Sequence, residues 1–522
     1  MYRNKGTITV FLSLISMLFL SLFCTMAESV RVQAARFQAA AAFDMGLFSI
    51  FGEYDRVLLE EYDLWFLDGS SEEQKIREVL ETKLEKYIQP NINPRYNLAA
   101  GRSWDVFPTE LDRCTVDKYA LATDHGGQVF YSQAVENQKE LFVGEAASAL
   151  KKNIKQMEEG HQKGEEYQNE EQKADEEYQR AQAAQMEEKK RQESEKENAE
   201  KQEESDTDIK ETEAVQAKVE NPLDQIKKIK SMGILGLVLK DGTVVSDKTI
   251  ERKDLPSERN LQKGSLLVDE ISADPVSEAI FLNYLQKHFQ CAVDEGGKHQ
   301  KGSKEHSLSY ELEYIIGQKS DRENLKKTVN RILLIREGMN YATLAKSAKM
   351  RGEAMALAAA ITGAAALPEF AGALQKLLML AWAYGESLLD VRTLLAKGKV
   401  PMLKAETEWK LPLEKLGMLA EVLKECDAGG GSGQSYEDYL SGLLILGKKQ
   451  QRNLRVLDLI ECNRRMEKGG ETFRVDALVA QAEASADFEL APVFLRIPAV
   501  WMHVRNQGTA YTIKGQYGYG QP

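Results

Sequence analysis

The chain has 522 residues, room for two or three domains at the usual ~150 residues each. It is 43% hydrophobic and 29% charged, with a formal net charge of −13, which suits a soluble body on a single anchor. Phosphate binding needs a basic stripe, and the chain has none, so nucleic acid is excluded as a partner.

The N-terminus is the most informative stretch. A short tip, residues 1–7, carries Arg3 and Lys5, and an apolar run from Ile8 to Met26 follows. About 20 apolar residues in a helix cross the ~30 Å hydrocarbon core, so residues 8–27 read as a transmembrane helix with the lipid bilayer as its partner. Ser13, Ser16 and Ser21 can return their hydroxyls to the helix backbone. Basic residues precede the run and the first charge after it is Glu28, so the positive-inside rule puts the N-terminus in the cytoplasm and the body outside the cell. Thr25-Met26-Ala27 is a poor cleavage site and Phe23 is too bulky for a lipoprotein signal at Cys24, which favours a retained anchor. Val30, Ala34, Phe37, Ala41, Met45 and Phe48 recur at helical spacing, so the helix is expected to continue and to pack this face on protein.

Residues 28–155 hold the rest of this helix and the first part of an ectodomain. Tyr62, Trp65 and Phe66 mark a docking point, and Ser71 can cap a helix running to about Tyr87, which Pro90 is expected to stop. Cys114 to Ala122, Asp124-His125-Gly126-Gly127 and Val129-Phe130-Tyr131 read as strand, turn and strand, and helix is expected again from Gln133. Residues 156–220 are dominated by Glu, Lys and Gln. Tyr167, Ala174, Tyr178 and Ala181 keep a weak helical spacing that fades beyond Glu187, so this segment reads as an exposed helical or disordered insertion, coiled at most in its first half.

Residues 221–522 form the main ectodomain. Ile234 to Leu239, Asp241-Gly242 and Thr243 to Val245 read as a tight hairpin. Val276 to Cys291 is helical, and Ser320 to Glu323 has the form of a capping box. Met355 to Leu395 is rich in Ala and Leu, but Pro368, Glu369 and Lys376 leave its apolar runs too short for a second span; core helices are expected. Further helices follow from Ser435 and around Leu454 to Met466, and alternation from Val475 to Leu490 suggests strands. The expected fold is therefore α+β and predominantly helical: a long anchor helix, small hairpins or a sheet, and the charged insertion.

No HExxH, P-loop or nucleophile-elbow pattern occurs, and no catalytic, cofactor-binding or metal residue is named. His299 and His306 read as solvated loop residues, Glu60-Glu61 and Glu158-Glu159 as solvated faces, and Trp409 and Trp501 as packing residues. Gly430-Gly431-Ser432-Gly433 lacks the closing glycine of an elbow. Cys114, Cys291, Cys426 and Cys462 could form two disulfides, although their scatter favours free thiols.

Lys5-Gly6-Thr7-Ile8-Thr9-Val10-Phe11-Leu12, followed by one span and a long helix, resembles the start of TadE/TadG-like proteins of tight-adherence (Tad/Flp) pilus systems. Glu53-Tyr54-Asp55, Leu64 to Asp68, Leu235 to Val238, Asp321 to Asn324 and Tyr436 to Tyr439 resemble a large uncharacterised family of anchored Gram-positive ectodomains. The resemblance implies location in the envelope and association with pilus or envelope proteins, and no reaction. One departure is that Phe11 stands where processed pilins carry Glu. The function expected is a structural, non-enzymatic minor-pilin-like or accessory component; the alternative is an anchored module that binds an extracellular polymer or protein.

Overall fold

The computed structural model describes residues 5–71, 75–92, 107–139, 144–200, 222–267, 274–293, 305–364, 370–426, 430–495 and 508–519. In chain order the elements are α1 (Lys5–Phe51), α2 (Arg56–Tyr62), β1 (Leu67–Asp68), α3 (Ile76–Ile92), β2 (Thr109–Leu121), α4 (Asp124–Lys139) and α5 (Gly144–Glu200). Then come α6 (Pro222–Ser231), α7 (Ile234–Val238), α8 (Pro275–His288), α9 (Glu311–Ile316), α10 (Asp321–Lys346), α11 (Ala348–Ala364) and α12 (Ala371–Leu395). The chain closes with α13 (Leu419–Glu425), α14 (Tyr436–Leu446), α15 (Lys449–Met466), β3 (Leu478–Leu490) and β4 (Thr509–Gly518). The fold is α+β and predominantly helical, as expected.

Two compact units interleave in sequence. The first comprises Met1–Glu140, Lys253–Ser272 and Asn453–Pro522, the second Leu141–Arg252 and Ala273–Arg452.

In the first unit β3 is the central strand of an antiparallel sheet. β2 pairs along one of its edges, while β4 and the two-residue β1 share the other. Ala482, Ala484, Ala486, Phe488 and Leu490 are buried while the residues between them are more exposed, the period of two that puts one strand face against a core. That core is completed by Ala39, Phe43, Leu47 and Ile50 of α1 and by Leu80, Leu84 and Ile88 of α3. Gly515 of β4 lies where a Cβ would come within 2.8 Å of the Phe43 ring, so only glycine lets the strand approach the helix this closely. The segment from Lys253 is held to this unit by Arg259, which donates to Glu461 Oε1 at 2.5 Å and to Asp476 Oδ1 at 2.5 Å, and by Gly264 N, which donates to Asp124 Oδ1 at 2.8 Å.

The second unit is helical. α5 packs on α10 and α12, with Met157, Tyr167 and Ala174 buried and the Tyr167 hydroxyl donating to Leu380 O at 3.0 Å. α12 is buried almost throughout from Leu378 to Leu394. Ser320 caps α10 by accepting from Glu323 N, and Ser435 and Asp438 form a capping box on α14.

Several expectations are corrected. The α1 helix is continuous, but Val30, Phe37, Met45 and Phe48 face outward, and the buried side is Ala35, Ala39, Ala42, Phe43, Leu47 and Ile50. Both faces are apolar, so helical period alone could not choose between them. Val129-Phe130-Tyr131 belongs to α4 rather than to a strand. The turn is real, with positive φ at His125, Gly126 and Gly127, yet it opens a helix that buries Phe130, Ala134 and Val135. Ile234 to Val238 is a helical turn burying Ile234, Leu237 and Val238; Gly242 makes its turn at φ 84°, but Thr243 to Val245 joins no strand. Pro90 sits inside α3 without ending it. The charged stretch from 156 is continuous helix to Glu200, and its first half is core rather than a surface insertion. Residues 201–220 lie outside the described residues.

Candidate functional site

Three sites in the two units carry unusual chemistry. In the first unit, α1 is the one helix among the described residues long and apolar enough to cross a membrane. Ile8, Phe11, Leu14, Leu18, Leu22 and Phe23 are exposed, and protein burial begins at Cys24. One turn later lies a buried ion pair. Arg31 Nε donates to Glu28 Oε1 at 3.1 Å, and Arg31 Nη2 donates to Ala491 O at 2.6 Å. Glu28 Oε2 accepts from Phe494 N at 2.7 Å and Val493 N at 3.3 Å. Burial opposes the Glu28 charge, but Arg31 and these backbone donors outweigh it and hold the carboxyl below its usual range. The pair thus fastens α1 to the chain leaving β3, at the end of the apolar run.

In the second unit, a polar network is sealed among α10, α12, α14 and the segment from Lys399 to Leu411. Arg336 is fully buried and donates to Asp390 Oδ2 from Nε at 3.0 Å and from Nη2 at 2.8 Å. Its Nη1 donates to Pro401 O at 2.9 Å, Met402 O at 2.8 Å and the Tyr439 hydroxyl at 3.1 Å. Asn340 donates to Ser387 Oγ and Asp390 Oδ2, each at 2.9 Å. Lys404 bridges Glu386 and Asp390. Burial pushes Glu386 up, with Lys404 opposing; for Asp390 burial is outweighed by Arg336 and Lys404, so its carboxyl lies low. Two cations face two carboxylates away from solvent, an arrangement suited to fixing a loop between helices. The glycine loop serves the same end: Lys399 N donates to Gly430 O at 3.1 Å, and Val400 and Gln434 exchange backbone bonds at 2.9 Å.

An open cleft of about 520 Å³ also belongs to the second unit, between α5, α6 and α12. Leu223, Ile226, Leu377, Leu380 and Ala381 give it an apolar floor, with Glu171, Asp175, Asp224, Lys227 and Lys230 charged around it. Lys230 pairs with Glu171 and stands 4.8 Å over the Tyr384 ring. Glu337 is buried nearby; burial pushes its carboxyl up to about 8, with Lys230 opposing.

The sequence profile of a family of unknown function (DUF5702) matches residues 212–490, more than half of the chain. The chain belongs to this family. Searches of curated proteins and of solved structures gave no match. The DUF5702 stretch holds the whole Arg336 network, α6 and α12 of the cleft, and β3. It leaves out α1, β2 and α5. The resemblance to an uncharacterised ectodomain family agrees with the match, whereas the pilus-like residues Lys5 to Leu12 lie outside it.

Among the described residues no group of three or more His, Cys, Asp or Glu could hold a metal ion. His306 is not solvated as expected: its Nδ1 lies 2.9 Å from Glu311 Oε1 in a largely buried pair. His299 and Trp501 lie outside the described residues. Trp409 packs edge-on against Trp382 at 5.6 Å between ring centroids, as expected of a packing residue. All five cysteines are free thiols. Sequence reasoning missed the Arg336 network, though Glu386, Ser387 and Asp390 interrupting an apolar helix were a visible signal.

Proposed function

We propose that this chain is a single-pass envelope protein, N-terminus in the cytoplasm and both units outside, acting as a structural accessory of a pilus-type or related surface system rather than as an enzyme. The observation that carries the tether is the continuity of α1: exposed apolar side chains to Phe23, then a helix packed on the first unit with no break between. A helix that spans lipid and enters the fold as one rod transmits position and orientation from the bilayer to the body. The N-terminal resemblance supports the pilus association, and the charge order of Arg3, Lys5 and Glu28 supports the orientation.

Membrane fractionation with carbonate extraction, followed by protease treatment of intact cells, tests the tether. The reading predicts recovery in the membrane fraction and digestion of the body from outside. Piliation scored in a deletion strain tests the pilus half, which fails if pili form normally and sheared pili lack the chain. A second reading, an anchored binding module, draws on the mixed apolar and charged cleft of the second unit. Its test is ligand-dependent stabilisation of the full chain, lost when the floor is filled by Ala381→Trp. A fragment starting at Asn221 is unsuited to that test, because it would remove α5 from the core.

A further inference from the structure

Beyond the apolar run, α1 keeps an apolar stripe that the described residues of the first unit leave largely exposed, although Phe48 meets the Tyr517 ring edge-on at 5.8 Å between centroids. Val30 is 71% exposed, Phe37 79% and Phe48 64%, with Met45 half exposed and the small side chains of Ala34 and Ala41 between them. The steps of 4, 3, 4, 4 and 3 average 3.6 residues, so the stripe stays on one side of a straight helix. It continues without a gap into Met26, Phe23 and Phe19, all exposed on the same side.

Lipid cannot cover the whole of it. At ~1.5 Å per residue, Phe37 stands about 16 Å and Phe48 about 33 Å beyond Met26. The headgroup layer adds only about 5–8 Å on each side of the hydrocarbon core. An uncovered stripe of this kind marks a protein contact.

We infer that the stripe is the contact between the α1 helices of two copies of this chain, lying parallel through the bilayer and past it. The inference rests on the tether reading above. A single partner lying along the stripe from Phe19 to Phe48 runs from lipid into the exterior as α1 does, and α1 is the one helix among the described residues long and apolar enough for that course. Copies inserted alike share orientation and depth, so each stripe residue meets its own counterpart about a two-fold axis along the membrane normal. The stripe positions themselves are uncharged, and the acidic residue nearest them, Asp44, stands exposed at the edge of the same face. Ala34 and Ala41 flank Phe37 on the same face, leaving room for the partner's Phe37 ring and for close backbone approach.

The test is oxidative cross-linking of the full chain in native membranes. Single variants Val30→Cys, Phe37→Cys and, off the stripe, Ser29→Cys are each compared with the parent chain treated alike. At least tenfold more disulfide-linked dimer at positions 30 and 37 than at 29 is expected. Equal yields at all three positions, no dimer at any, or an adduct whose mass is not twice that of the chain each overturn the pairing. Phe37→Glu should convert a detergent-solubilised dimer to monomer with unchanged far-UV circular dichroism, and a persistent dimer overturns it. Fractionation is run first: a soluble chain defeats the tether, whereas a membrane-resident chain that does not cross-link defeats the pairing alone.

Discussion

Gly338 of α10 faces Gly164 of α5 with no space to spare: a methyl group on Gly338 would overlap the backbone of Lys163 and Gly164, and one on Gly164 would lie 2.8 Å from Leu334 O. Two glycines at a helix crossing let the backbones touch, which is how a segment rich in Glu, Lys and Gln becomes core. Gly338→Ala and Gly164→Ala should each destabilise the second unit by about 1–3 kcal/mol through overpacking. Gly352→Ala, in an open helical position of α11, should stabilise by about 0.5–1 kcal/mol. Denaturant titration of the three variants checks the opposite signs.

Arg336→Met removes a cation enclosed with Asp390, Asn340 and Tyr439 and leaves Pro401 O and Met402 O without their donor. A loss of about 3–5 kcal/mol is expected. Limited proteolysis should then cut first near residues 399–411, the segment the network holds.

The second unit should lose stability as pH rises. Burial pushes Glu313 up to about 7, although Ala292 N and the Tyr436 hydroxyl donate to it, and pushes Glu337 up to about 8, against a reference of 4.5. From about pH 4.5 upward the unfolded chain has released these protons while the folded chain still holds them, so folding is favoured at low pH and the advantage is lost as pH climbs through 7 and 8. Melting temperature measured from about pH 5 to about pH 8 should fall, and the combined variant Glu313→Gln, Glu337→Gln should flatten that slope.

Glu28→Ala strands the Arg31 guanidinium in a buried site and frees Val493 N and Phe494 N. The first unit should lose about 3–5 kcal/mol. Amide exchange should rise first around residues 491–494, while membrane retention is unchanged because the apolar run is intact.

Burial pushes the thiols of Cys114 and Cys462 up to about 12. Only thiolate reacts, so alkylation by iodoacetamide near neutral pH should be slower by roughly 100-fold or more than in the unfolded chain, read by mass spectrometry.

Sequence reading did best where one-dimensional pattern is sufficient. The apolar run of α1, the caps at Ser320 and Ser435, the alternation of β3 and the core character of α12 all follow from local period and composition. It failed where a choice depended on a distant partner: which face of α1 is covered, whether Val129 to Tyr131 extends or coils, and whether a charged helix is exposed. Tyr167 and Met157 were too sparse a signal for a core because Gly160 and Gly164 contribute by what they lack.

The amino-acid order alone determined that one long apolar helix leads the chain and that a mainly helical α+β body follows, since span length and helical or strand period are local properties. Tertiary structure decided that residues 253–272 and 453–490 complete a unit begun before residue 140, and that Arg336, Asp390 and Lys404 meet out of water. The reason is physical: burial and charge pairing depend on which segments share a volume, and that is set by packing across hundreds of residues rather than by neighbours in sequence.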